Sequence, residues 1–86
     1  MKPTPGALRL RHLRKVLGYK TGAEFARCLG ISPARWWNFE HDYPLPREMV
    51  FLLCEKIDGL TSDWLYFGRE QFLTVDLRER LRKRAP

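Results

Sequence analysis

The apolar and polar positions of this chain break it into short helical segments punctuated by glycine and proline. Leu10, Leu13 and Leu17 recur at helical spacing with Val16 beside them, which predicts a first helix over 6–17, ended by Gly18. Phe25, Ala26 and Leu29 predict a second. Thr21 caps it, Glu24 stands three residues on to close a capping box, and Gly30 stops it. Ser32 and Pro33 are the cap and first position of a third helix, 32–40, in which Trp36 and Phe39 share a face. The run Met49 to Cys54 is apolar without a break, so a fourth helix over 46–58 is expected to be buried on most sides. A fifth, 62–67, is capped by Thr61 or Ser62 and contributes Trp64, Leu65 and Phe67 to the core. Leu73, Leu77 and Leu81 then fall every fourth residue within 69–86, among Arg78, Arg80, Arg82, Lys83 and Arg84. That is an amphipathic sixth helix with its basic end C-terminal, where the helix dipole favours it. Its leucine stripe is open to docking on its own domain, to dimerisation or to disorder.

The second and third helices, joined by a glycine-containing turn, read as a helix-turn-helix whose second helix enters a DNA groove. The stretch L-G-I-S-x-x-x-W-x-x-F-E, Leu29 to Glu40, resembles the core of the phage-repressor (Cro/repressor, or Xre) helix-turn-helix family. L-R-x-L-R at 10–14, A-E-F-A at 23–26 and D-W-L-Y-F-G at 63–68 extend the resemblance from about Leu8 to Gly68. It implies an all-α fold: a compact five-helix, lambda-repressor-like domain over 6–68, preceded by a flexible arm (1–5) and followed by a helical extension (69–86). It also implies a small bacterial or phage regulator that reads a palindromic double-stranded DNA operator as a homodimer, without cofactor or small-molecule ligand. The expected place is the cytoplasm, at the nucleoid.

With Trp36 and Phe39 turned inward, Pro33, Ala34, Trp37 and Asn38 face outward and Arg35 sits on the flank. These positions match the family's base-reading ones. Asn38 suits an adenine edge, Ala34 a thymine methyl, and Arg35 a guanine or a phosphate, whereas Pro33 donates nothing. Trp37 is the anomaly. It can pack over the edge of the core, lie on sugars or thymine methyls, or serve a protein interface. The resemblance assigns phosphate contacts to the start of the second helix and to the segment after the third. The candidates are Lys20, Thr21 and Gly22, then His41 and Tyr43, with Asp42 placed to repel. The family often has a glutamine in the first turn of the second helix. Here Thr21-Gly22-Ala23 stands there, which leaves the helix N–H groups and the Thr21 hydroxyl. The resemblance also pairs Arg14 with Glu40, a structural role, and leaves Arg9, Arg11 and Lys15 as a solvated face.

Charge changes this picture. Residues 1–20 carry six basic and no acidic groups, 21–67 four basic and seven acidic, and 68–86 six basic and three acidic, for a net +6. The positive charge is at the ends, where it suits phosphate binding, and the helix-turn-helix itself is net negative. That imbalance, with Gly22 and Pro33 at contact positions and Trp37 outward, keeps a second reading alive: an interaction module that retains the fold without reading DNA. Length and composition bound the rest. Eighty-six residues, 44% of them hydrophobic, make one small domain. No apolar run spans a bilayer and no secretory h-region opens the chain, so a soluble, intracellular protein is expected. Cys28 and Cys54 lack metal or disulfide spacing and read as buried or half-buried free thiols. Neither a nucleophile–base pair, a phosphate-binding glycine loop nor a working carboxylate pair stands out, so no enzyme is expected.

Overall fold

A computed structural model describes residues 4–83. Six helices and no strand are found among them: α1 Pro5–Val16, α2 Gly22–Leu29, α3 Pro33–Phe39, α4 Arg47–Lys56, α5 Ser62–Phe67 and α6 Val75–Lys83. No helix in this range is long and apolar enough to cross a membrane.

Hydroxyl caps set five of the six starts. The side chains of Thr4, Thr21, Ser32, Thr61 and Thr74 accept the backbone N–H three residues on, at 3.1–3.3 Å. Pro5 and Pro33 follow two of these caps at a position where the missing N–H is no loss. Thr4 and Pro5, assigned by the sequence to the arm, are thus the cap and first residue of α1, and the rest of that arm, with Lys2, lies outside the described residues. Gly30 ends α2 at φ 79°, and the N–H groups of Gly30 and Ile31 close back on Arg27 and Ala26. This is the six-to-one closure that needs a left-handed residue.

One core joins all six helices. Trp36 is fully buried at its centre, with its ring edge-on to Phe25 at 4.8 Å and to Phe39 at 6.3 Å. Around it lie Leu10, Leu13, Met49, Val50, Leu53, Trp64 and Leu65, and then Leu73, Leu77 and Leu81. The compact unit is therefore of six helices, not five plus a separate extension. The sixth docks because its leucine stripe finds a partner surface and because Gly59 lets its cap approach. A Cβ at Gly59 (φ 86°) would stand 2.1 Å from Thr74 Oγ1, and the Thr74 N–H donates to the Gly59 carbonyl at 3.3 Å. His12 Nε2–H donates to the Leu81 carbonyl at 2.7 Å and adds a polar tie between α1 and α6.

Two core expectations fail for a geometric reason. Successive helical residues are about 100° apart, so an unbroken apolar run cannot all face one way. With Met49, Val50 and Leu53 inward, Phe51 points outward and is 64% exposed. Trp64 and Leu65 set the inward direction of α5, and Phe67, also 64% exposed, lies beneath the Arg69 guanidinium at 4.9 Å instead.

Candidate nucleic-acid interface

The site is built on α3, and what holds α3 in place is a buried carboxylate at its end. Glu40, 5% exposed, accepts Arg14 Nε on Oε2 at 2.8 Å and Arg14 Nη2 on Oε1 at 3.3 Å. Trp36 Nε1–H donates to the same Oε2. Arg14 in turn donates from Nη1 to the carbonyls of Tyr19 and Lys20, at 2.9 and 2.8 Å. One guanidinium thereby ties α1, the α1–α2 connection and the end of α3 together. Arg11 Nε–H adds a bond to the Glu40 carbonyl at 2.9 Å. A carboxylate and a guanidinium are tolerated at this depth because their hydrogen-bonding atoms converge on each other, on the Trp36 indole and on backbone.

Gly22 belongs to this arrangement. A Cβ there would come within 3.1 Å of the Trp36 ring and 3.4 Å of Glu40 Oε2. The absent side chain, read in the sequence as a lost phosphate contact, leaves room for the indole. It also brings Gly22, at the start of α2, against Trp36 and Glu40 at the far end of α3. Lys20 and Thr21 are exposed and Gly22 is half-buried. The Thr21 hydroxyl accepts the Glu24 N–H, while the reciprocal carboxylate bond of a capping box is not formed among the described residues.

Pro33, Ala34, Arg35, Trp37 and Asn38 are all exposed, on one side of α3 away from Trp36 and Phe39. Their chemistry divides. Arg35 leans to the flank, where Nη2 donates to Glu48 Oε1 at 3.3 Å and the guanidinium lies 5.7 Å over the Phe39 ring. Arg35, Asn38, Phe39, Tyr43 and Pro46 line a shallow cleft of about 280 Å³. Trp37 is 59% exposed and does not fold onto the core edge. Its ring lies flat against His41, with centroids 3.7 Å apart and planes 12° from parallel. His41 Nδ1 is 2.7 Å from the Trp37 carbonyl. A carbonyl only accepts, so Nδ1 carries the proton there, and Nε2 is left for a partner outside.

Past His41 the chain turns at Asp42, which adopts φ 73°. Its carboxylate accepts the Thr4 N–H at 2.9 Å and the Thr4 hydroxyl at 2.8 Å. These bonds, the backbone one foremost, hold the Asp42 carboxyl below its ordinary range. The residue expected only to repel phosphate is a tether between the start of α1 and the end of α3. Tyr43 is exposed, with its N–H on the Asn38 carbonyl at 3.0 Å.

Arg9 and Arg11, expected on a solvated face, are half-buried. Arg9 bonds the carbonyls of Leu65 and Tyr66 at the end of α5, with Nη2 at 3.3 and 2.9 Å, and burial lowers its pKa. Helix C-terminal carbonyls attract such cations, but sequence spacing does not say which helix end is near. Cys54 is half-buried and its thiol is pushed up by burial. Cys28 is exposed, contrary to expectation, and takes a hydrogen bond from the Tyr19 hydroxyl at 3.1 Å, which raises the Tyr19 pKa. Among the described residues no cluster of metal-ligating side chains occurs. No protein-family model, curated protein or solved structure matches this chain.

Proposed function

We propose that the protein is a sequence-specific double-stranded DNA-binding protein, a small transcriptional regulator of bacterial or phage type. In this reading α2 and α3 form a helix-turn-helix and α3 enters the major groove. The observation that carries it is the division of α3. Trp36, Phe39 and Glu40 are locked into the core and to α1, while Pro33, Ala34, Arg35, Trp37 and Asn38 stay exposed on a rigid element. A protruding helix held from behind by a saturated polar hub is what base reading needs, since a contact displaced by about an ångström is lost. The resemblance of Leu29–Glu40 to the phage-repressor type supports the same reading. Asn38 addresses an adenine edge and Arg35, on leaving Glu48, a guanine or a phosphate. The Lys20 ammonium, the Thr21 hydroxyl, the N–H groups at the start of α2 and the Tyr43 hydroxyl take phosphates, and His41 joins them through Nε2–H when its ring carries both protons. A homodimer reads two half-sites about one helical turn apart. The protein acts in the cytoplasm at the nucleoid and is not an enzyme.

The experiment is selection from a random duplex pool at low and moderate salt, followed by Asn38→Ala. A palindromic site that survives the higher salt is the expected result. Asn38→Ala then weakens that site about 10- to 100-fold, as for a bidentate base contact, and spares random duplex. Equal loss on all sequences removes Asn38 from the reading face. One observation favours a second reading, a protein-binding module: the exposed indole of Trp37 on a face whose one cation is paired. A pool that yields no site, with binding that vanishes as salt rises, turns the assignment that way.

A further inference from the structure

The outward face of α3 is more apolar than a helix that reads DNA by hydrogen bonds alone requires. Pro33, Ala34 and Trp37 stand at relative positions 0, 1 and 4, so they are neighbours on one strip of the helix surface, and all three are exposed. Arg35 is drawn to the other flank by Glu48 and Phe39. Asn38, one turn beyond Ala34, is the polar group that borders the strip, and its side chain has no partner among the described residues.

Trp37 is also held. His41 covers one face of the indole while its Nδ1–H closes onto the carbonyl of Trp37 itself. The two ties fix the ring outside the core with its remaining surface open, and an apolar group already fixed loses little freedom on binding. The occupant follows from chemistry. In the major groove the apolar feature of a base edge is the C5-methyl group of a pyrimidine. An A·T pair offers that methyl beside the adenine N6 and N7 that suit Asn38, so one pair satisfies both sides of the strip. The start of α2, with Gly22 against Trp36 and Glu40, and the exposed Lys20 just before it supply the positive flank that a duplex needs.

Resting on the DNA-binding reading, we infer that Trp37, with Ala34 and Pro33, is a specificity surface for pyrimidine C5-methyl groups, and that His41 positions Trp37 for it. The methyl belongs to thymine or to 5-methylcytosine, and the two are separated by experiment.

The test uses the full chain and the duplex recovered by selection, titrated at one salt concentration. Each dT is exchanged for dU, which removes only the methyl, and dC is compared with 5-methyl-dC at the pyrimidine positions of the half-site. One or two dT-to-dU exchanges weaken wild-type binding about fourfold each, the worth of one buried methyl. Gain on methylating dC instead assigns the surface to 5-methylcytosine. Trp37→Ala binds dT and dU duplexes alike, and Trp37→Phe keeps part of the difference. His41→Ala narrows the difference more than it changes non-specific affinity, whereas a phosphate contact alone would lower binding to all sequences equally. Thermal melts of each variant, whose changed side chains lie outside the core, confirm folding. A selected site indifferent to every methyl exchange, or a Trp37→Ala protein that still discriminates, overturns this inference alone. A pool with no selected site overturns the DNA reading and this inference with it, and leaves Trp37 as a protein contact.

Discussion

The helices α1 and α3 carry opposite lessons about charge. α1 has the largest net positive charge of the six, with Arg9, Arg11, Arg14 and Lys15 and no acid. Three of those four cations turn inward or sideways, to the ends of α5 and α3 and to the carboxylate of Glu40. α3 has a single cation, Arg35, yet it is the helix whose face stays open. A cation counted in sequence is available to a phosphate only if no helix end competes for it. Exposed carbonyls at a helix C-terminus are persistent acceptors in a confined place, and α1 lies across two such ends. The helix that looks built for DNA by composition spends its cations on the fold, and in the proposed DNA-binding reading the sparsely charged helix is the presenting surface.

The contrast breaks most completely at Glu40. Replacing it with alanine strands the Arg14 guanidinium at 8% exposure and removes the acceptor of the Trp36 indole. Losing one partner of a buried pair costs about 3–5 kcal/mol. In a domain of this size that is a fall in Tm of more than about 10 °C. Glu40→Gln, which keeps an acceptor for Trp36, should fall between alanine and wild type. A melting temperature that does not move for Glu40→Ala would mean that α3 is held by its aromatic residues alone.

A smaller effect separates scaffold charge from presented charge. Arg11→Ala should lower stability by about 1.5–3 kcal/mol, the range for a hydrogen bond to a charged group, and leave the salt dependence of DNA binding unchanged. Lys20→Ala should do the reverse: stability within about 0.5 kcal/mol of wild type, and a log–log salt slope shallower by about 1. Chemical denaturation and titrations over a salt series read both. Equal slopes for the two variants would erase the distinction between the helices.

How much of this was legible follows the same division. Caps and stops are local chemistry, so Thr21, Ser32, Pro33, Thr61 and Gly30 marked four helix boundaries within a residue or two. The periodicity of Trp36 and Phe39 was enough to list the five outward positions of α3. Contacts between distant segments were not legible. Nothing in the spacing of Arg9 or Arg11 names the helix end each meets, and Gly22 reads as a lost phosphate contact because the Trp36 ring that fills its space comes 14 positions later. The unbroken apolar run of α4 hid its true face, since periodicity is informative only where polar residues interrupt it. The Trp37–His41 stack was within reach, because positions four apart on a helix are neighbours. From the sequence His41 reads as a phosphate ligand, and its bracing of Trp37 shows in the structure.

The finest test lies at the junction of the two helices, where Asp42 links the end of α3 to the cap of α1. The carboxyl titrates below its ordinary value of about 3.8 in the folded protein, because the anion accepts the Thr4 N–H and, secondarily, the Thr4 hydroxyl. Arg11 and His41 add smaller attractions in the same direction. A group whose folded pKa is depressed stabilises the fold above its unfolded pKa, and the contribution is lost as the pH falls through the folded value. Asp42→Asn isolates that charge, since asparagine tolerates the left-handed backbone at φ 73° and still offers Thr4 an oxygen. Wild type should therefore melt slightly above Asp42→Asn at pH 7, and the gap should stay level down to about pH 5 and close as the pH falls below the ordinary carboxylate value of about 4. Melts in matched buffers across that range read it directly. A gap that persists unchanged at pH 2 would assign the Asp42 effect to shape, and the tie between scaffold and presenting helix would then rest on Arg11 and Arg14 alone.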